Sequence, residues 1–268
     1  MALLGIYVTG LARRTDPPLL VMAAGAAAWL GGTLLWLAGE PAPRASLWWL
    51  GFLILTITGE RLELGRIVHR GSWMQPLFLA LIGLLAGGLA AVAAGWPPGS
   101  RLCGLALAGL ALWLGRYDIA RRTIRLAGQP RYMAICMLAG YLWLALAGLL
   151  LMAWGLAPAG PRHDAILHAI ALGFVFSMIF AHALVILPAV LGVLIPFSRV
   201  LYLPMALLHL SLLARVTADL APAHPGSLLQ AAGLANVVAI LLFFLTVAGS
   251  ALWCRLANRD EPAAVGRV

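Results

Sequence analysis

The chain has 268 residues, of which 63% are hydrophobic and only 10% are charged, and its mean hydropathy is +0.99. Soluble domains carry close to a quarter charged residues, so composition excludes an ordinary soluble protein and indicates a single integral membrane domain over residues 1–268. All 18 basic residues are arginine; in a membrane protein such residues set topology and contact anionic lipid, so we expect the lipid bilayer as partner and no nucleic acid.

Apolar segments follow one another along the chain, separated by proline- and glycine-rich turns. A helix needs about 20 residues to cross the hydrocarbon core, because lipid cannot satisfy backbone hydrogen-bonding groups. We therefore predict an all-α, polytopic membrane helix bundle of about eight transmembrane helices. The predicted spans are residues 17–38, 46–67, 74–95, 102–120, 132–155, 164–187, 200–219 and 228–254. The second and fourth of them run into charged residues at their distal ends.

The arginines test the number and direction of these spans. With eight spans, fourteen arginines fall on the side of the N-terminus, and only Arg44, Arg101, Arg162 and Arg215 fall on the other. Cytoplasmic loops are the arginine-rich ones in membrane proteins, so both termini are predicted to be cytoplasmic. We expect a multi-pass protein of a bacterial inner (cytoplasmic) membrane.

Small residues recur at four-residue spacing in two of the predicted helices. The pairs are Gly83 with Gly87, and Gly104 with Ala108. Small residues at this spacing let neighbouring helices approach closely, so both pairs are predicted to lie at helix–helix contacts.

The segment from His163 to Gly192 places histidines inside an apolar helix. His168 and His182 are fourteen residues apart, which is close to four helical turns, so both side chains are predicted to leave one face, separated by roughly 21 Å along the axis. Asp164 precedes His168 by one turn, and its carboxylate is placed to accept the ring N–H, as the outer partner of a metal-binding histidine does. His209 lies in the middle of the next predicted span.

Placing a histidine side chain at this depth in the membrane costs free energy, so the ring needs a partner inside the bundle. Haem iron is one such partner, and two histidines about fourteen residues apart on one helix are typical of membrane cytochromes b, which bind haems at two levels. The alternative is that His168 and His182 only form hydrogen bonds to carbonyl groups of neighbouring helices.

The pattern H-x13-H-x5-P-A, within LHAIALGFVFSMIFAHALVILPAVLG, resembles membrane proteins of the NnrS (nitric-oxide-response) type. Those are regarded as haem- and copper-containing relatives of the catalytic subunit of haem–copper oxidases. The likeness covers residues 163–215. It implies one or two haems b, with His168, His182 and, as a third candidate, His209 as iron ligands, copper as a candidate metal, and a role in respiratory or nitrogen-oxide redox chemistry.

Other charged residues allow two interpretations each. In one interpretation, Glu63 forms a helix-end salt bridge with Arg66 or Arg70. In the other, Glu60 and Glu63, with His69, form a proton entry point towards His182. Arg215 either forms an ion pair with Asp219 or binds a haem propionate.

Three classes of function remain open. The leading hypothesis is a haem b-binding membrane protein for electron transfer, alone or as the membrane subunit of a redox complex with other subunits. The second is a proton- or cation-coupled transporter that uses the histidines with Glu60 and Glu63 as a relay. The third is a non-catalytic structural subunit. The sequence contains no recognisable nucleophile, phosphate loop or dinucleotide fingerprint, so an enzymatic substrate site of its own stays undecided.

Overall fold

The computed structural model describes residues 2–13, 16–65, 73–222 and 225–257, and in these ranges the regular secondary structure is entirely helical. The helices in chain order are α1 (Ala2–Arg13), α2 (Pro17–Leu37), α3 (Ala42–Gly65), α4 (Met74–Ala93), α5 (Pro98–Tyr117), α6 (Ala120–Thr123), α7 (Gln129–Trp154), α8 (Pro161–Leu191), α9 (Tyr202–Leu220) and α10 (Gly226–Ala257). A 3₁₀ turn, Arg199–Leu201, leads into α9. The predicted all-α class is confirmed.

Six helices in the described ranges are long and apolar enough to cross a membrane, namely α2, α4, α7, α8, α9 with its 3₁₀ turn, and α10. Helices α3 and α5 coincide with the second and fourth predicted spans and have 24 and 20 residues. They have the length of a span, but each carries charged residues within or near its ends. The structure therefore shows a helix bundle with six candidate membrane spans in the described ranges, and the count of eight and the orientation of the termini stay predictions.

Proline and glycine set the helix ends. Pro17, Pro98, Pro130 and Pro161 each stand in the first turn of a helix, where a missing N–H costs nothing. Gly192 ends α8 with φ +62°, a left-handed conformation that favours glycine, and its N–H bonds the carbonyl of Pro188 at 3.0 Å.

The backbones of α5 and α7 pack directly against each other. A Cβ atom added at Gly104 would lie 2.6 Å from the carbonyl oxygen of Gly148, and one added at Gly148 would lie 2.6 Å from the backbone nitrogen of Ala108. The two backbones therefore touch, which confirms the predicted role of Gly104 and Ala108. The same prediction for Gly83 and Gly87 is wrong, because no atom of a neighbouring helix in the described part of the chain lies within 4 Å of a Cβ built at either position.

Helix α8 is not uniformly α-helical, because residues Ala169–Val175 form a π-helical stretch. A π turn holds one more residue than an α turn, which rotates the following residues by about 100°. The surroundings agree with this rotation: Asp164, one turn before His168, contacts Arg215 of α9, whereas His182 lies close to the charge of Arg61 of α3. The prediction that His168 and His182 leave one face is therefore wrong.

Candidate functional site

The rings of His168 and His182 are held in the same way. Nδ1 of His168 is 2.6 Å from the carbonyl oxygen of Asp164, and Nδ1 of His182 is 2.7 Å from the carbonyl oxygen of Met178. A carbonyl oxygen can only accept, so Nδ1 carries the proton in both rings and Nε2 keeps its lone pair. Nε2 of His182 is buried and has no hydrogen-bond partner. This nitrogen therefore has a buried lone pair that no group of the described chain contacts through a hydrogen bond.

His209 has the opposite arrangement. The indole N–H of Trp143 in α7 donates to its Nδ1 at 3.0 Å. Indole is only a donor, so Nδ1 of His209 accepts and Nε2 carries the proton. Neither nitrogen then offers a lone pair to a metal. The hydrogen bond joins His209 to Trp143 of α7. His209 therefore lacks the Nε2 lone pair that His168 and His182 have.

At one end of the bundle, Arg215 joins two carboxylates. Its Nε is 3.2 Å from Asp219 and its Nη2 is 3.7 Å from Asp164. The ion pair with Asp219 is the first of the two interpretations of Arg215. The predicted bond from His168 to the Asp164 carboxylate is wrong: the backbone carbonyl of Asp164 accepts instead, because it lies directly below the ring in the preceding turn, while the carboxylate turns to Arg215.

At the other end of the bundle, the proton entry point stays a prediction. Glu60 and Glu63 are exposed at the end of α3. His69 lies outside the described residues. Arg61, between the two glutamates, is instead 7% exposed and points into the bundle. The charged side chain that the structure buries at this place is thus a cation, Arg61.

Arg61 belongs to a buried polar group that the sequence did not reveal, formed with Asp118, Met137, Tyr141 and His182. Nη1 of Arg61 lies 3.9 Å from the sulfur of Met137. Arg61 and Asp118 are near enough for their charges to act on both Tyr141 and His182. Asp118 and Tyr141 are buried, like Arg61.

Buried charges at membrane depth are expensive and mark functional sites by default. One sequence signal could have indicated this group: Asp118 is the single acidic residue in the basic run from Arg116 to Arg131.

The described residues offer few ligands for a metal ion in any one place. Among the described residues, no three histidine, cysteine, aspartate or glutamate side chains lie together as a metal-ion site. A copper ion held by protein alone needs several such ligands at once. Haem iron needs only one or two, since the porphyrin supplies the others, and the lone pair on Nε2 of His182 fits that need.

Comparison with curated proteins and with solved structures gave no match. A family model described as Domain of unknown function (DUF8744) matches residues 1–252. This match covers nearly the whole helix bundle, including the histidines of α8 and α9 and the buried group around Arg61. The chain therefore belongs to the DUF8744 family.

Proposed function

We propose that the protein is a haem b-binding integral membrane protein for electron transfer, alone or as the membrane subunit of a respiratory or nitrogen-oxide redox complex. The observation that carries the proposal is the ring of His182, whose Nδ1–H is held by the Met178 carbonyl while the buried Nε2 has no partner. Histidines that bind metal donate their other ring N–H to a carbonyl or carboxylate in this way, which fixes the tautomer and raises ligand basicity.

His182 would hold the iron, and His168, whose Nδ1 is fixed by the same type of bond, is the candidate at a second level. Haem supplies a one-electron Fe(III)/Fe(II) couple when bound. Because the π-helical stretch turns the two histidines to different faces of α8, they would serve different haems rather than one.

Arg61 supports an anionic partner at the level of His182. Its guanidinium is buried, its Nε has no hydrogen-bond partner, and no carboxylate of the described chain lies within ion-pair distance. A buried cation needs a countercharge, and guanidinium binds carboxylates such as haem propionates well. Arg215, the sequence-based candidate for this role, already contacts Asp164 and Asp219.

The test is the absorption spectrum of protein purified after expression with a haem supply. We expect the Soret band and the sharp reduced α-band of a six-coordinate b-type haem after dithionite is added. A preparation that is folded but colourless contradicts the proposal.

A second candidate function is proton- or cation-coupled transport, and the observation that favours it is the buried group of Arg61, Asp118, Tyr141 and His182. Ionisable side chains inside a bundle are the usual parts of proton relays. Purified protein in liposomes that carries a pH-sensitive dye in the lumen tests this function. Proton flux that His182→Ala abolishes would support transport, particularly if the protein is colourless.

A further inference from the structure

A cavity of about 460 Å³ opens at the end of the bundle where α4 begins and α5 ends. The short helix α6 closes its other side. Its lining is Met74, Arg116, Tyr117, Asp118, Arg121, Arg122 and Arg125. We propose that this arginine cavity binds the phosphate group of an anionic phospholipid.

The charge in the arginine cavity is strongly unbalanced. Four guanidinium groups face one carboxylate, that of Asp118, and this carboxylate already accepts the backbone N–H of Ala120 at 2.8 Å. Among the residues that the structure describes, no ion pair joins any of the four arginines to an acidic side chain. The cavity therefore carries an excess of positive charge, with four guanidinium groups against one carboxylate, which favours an anion from outside.

Guanidinium groups match phosphate oxygens through paired N–H donors. Several of them around one space of this size can hold a single phosphate from more than one direction. This geometry distinguishes the arginine cavity from arginines that are spread over a loop and attract anions only through net charge.

The aromatic residues beside the cavity place it at the depth of lipid head groups. Tyr117 packs edge-on against Trp73, with ring centroids 5.8 Å apart, and also contacts Trp113 at 5.5 Å. The indole N–H of Trp113 donates to the carbonyl of Met74 at 3.0 Å, and the guanidinium of Arg116 lies 5.3 Å from the Tyr117 ring centroid. Tryptophan and tyrosine concentrate at the membrane–water boundary, where basic pockets between helices bind lipid head groups. A phosphate attached to a lipid is therefore favoured over a free phosphate.

The experiment measures equilibrium binding of a fluorescent short-chain phosphatidylglycerol to the full-length protein in detergent, by fluorescence anisotropy. The test variant is Arg121→Gln with Arg125→Gln. The matched control is Arg131→Gln with Arg199→Gln, which removes the same charge from a separate cavity of about 690 Å³. All four arginines are exposed, so both variants are expected to fold. Each basic contact adds to the free energy of binding an anionic lipid. Loss of two such contacts should therefore weaken binding of the lipid probe to the test variant about thirtyfold, while binding to the control should change little.

Two further arms identify the source of the phosphate. Phosphatidylcholine, which has no net charge, should compete poorly with the probe, and inorganic phosphate should compete only far more weakly than phosphatidylglycerol. Equal weakening in both double variants would show general charge attraction and overturn the proposal. Displacement of the lipid probe by inorganic phosphate at the concentration at which phosphatidylglycerol competes would overturn the assignment to lipid.

Discussion

The indole N–H of Trp143 donates to Nδ1 of His209 across 3.0 Å, and this bond joins the middle of α7 to the middle of α9. The same indole lies on Gly173, within the π-helical stretch of α8: a Cβ atom added at Gly173 would be 2.5 Å from Cβ of Trp143. The hydroxyl of Ser177 bonds the Gly173 carbonyl at 2.5 Å. Trp143 of α7 thus contacts both α8 and α9, the two helices that carry His168, His182 and His209.

Gly173→Ala should destabilise the bundle. The new methyl group would collide with Trp143, which cannot move without losing its bond to His209, and overpacking of this kind costs about 1–3 kcal/mol. The measurement is the thermal unfolding midpoint in detergent. Gly87→Ala is the matched control, because it lies inside α4 with nothing within 4 Å of the added Cβ, and alanine favours the helix by up to about 1 kcal/mol. Equal midpoints for the two variants would show that Gly173 is not packed as described.

Trp143→Phe should leave Nδ1 of His209 as a buried acceptor without a donor, at a cost of about 1–3 kcal/mol. A double-mutant cycle with His209→Leu separates this hydrogen bond from the lost indole volume. We expect a coupling energy of about 1 kcal/mol, as for other hydrogen bonds between membrane helices. Strictly additive effects of the two substitutions would mean that the bond contributes nothing to stability.

The sequence predicted the helices well because length and apolarity are local properties. The predicted spans 17–38, 74–95 and 164–187 compare with Pro17–Leu37, Met74–Ala93 and Pro161–Leu191. The π-helical stretch was not predictable in this way. The i→i+5 bonding pattern leaves no periodic signal in the sequence, and it depends here on how Gly173 packs on Trp143 of another helix.

The site shows the same division between local and tertiary information. The choice of His168 and His182 rested on residue type and depth, which the sequence contains. The burial of Arg61 depends on packing against α7, where Met137 contacts it, and so α3 alone gives little sign of it. The tautomer of His209 depends on Trp143, which is 66 residues away in the chain.

Asp219→Asn should destabilise the end of the bundle where α8 begins. The Asp219 side chain is 2% exposed and pairs with Arg215, whose side chain is 20% exposed, so removing the carboxylate leaves a largely buried cation. We expect a loss of about 2 kcal/mol, below the range for fully buried pairs because Arg215 keeps Asp164 and some water. Asp164→Asn should cost less than about 1 kcal/mol, since that carboxylate is 43% exposed and 3.7 Å from Arg215. Chemical denaturation in mixed micelles ranks the two variants, and the reverse order would contradict the assignment of the buried partner.

The orientation of the bundle is tested by reporter fusions. Fourteen arginines lie on one side in the eight-span arrangement and four on the other, so we expect alkaline phosphatase to be inactive after Arg125 and active near Pro98. A fluorescent-protein fusion after Val268 should be bright, because that end is predicted to be cytoplasmic. Active alkaline phosphatase after Arg125 would contradict this arrangement. If the Pro98 fusion is active as well, α5 does not cross the membrane; if it is inactive, either α3 does not cross or the whole bundle is inverted.

The histidines differ in their expected contribution to haem binding. His182→Ala should abolish the haem spectrum at its level, because it removes the buried Nε2 lone pair. His168→Ala should remove about half of the haem if the protein binds two, and none if it binds one. His209→Leu should leave the haem content unchanged, since Trp143 holds Nδ1 and Nε2 carries the proton.

His163→Ala, at the start of α8, is the control for substitution of a peripheral histidine. Haem content is measured by the pyridine haemochrome assay on folded, monodisperse protein. If His209→Leu loses its haem while His182→Ala keeps it, the iron ligand lies on α9. In that case the Trp143–His209 hydrogen bond must break when haem binds.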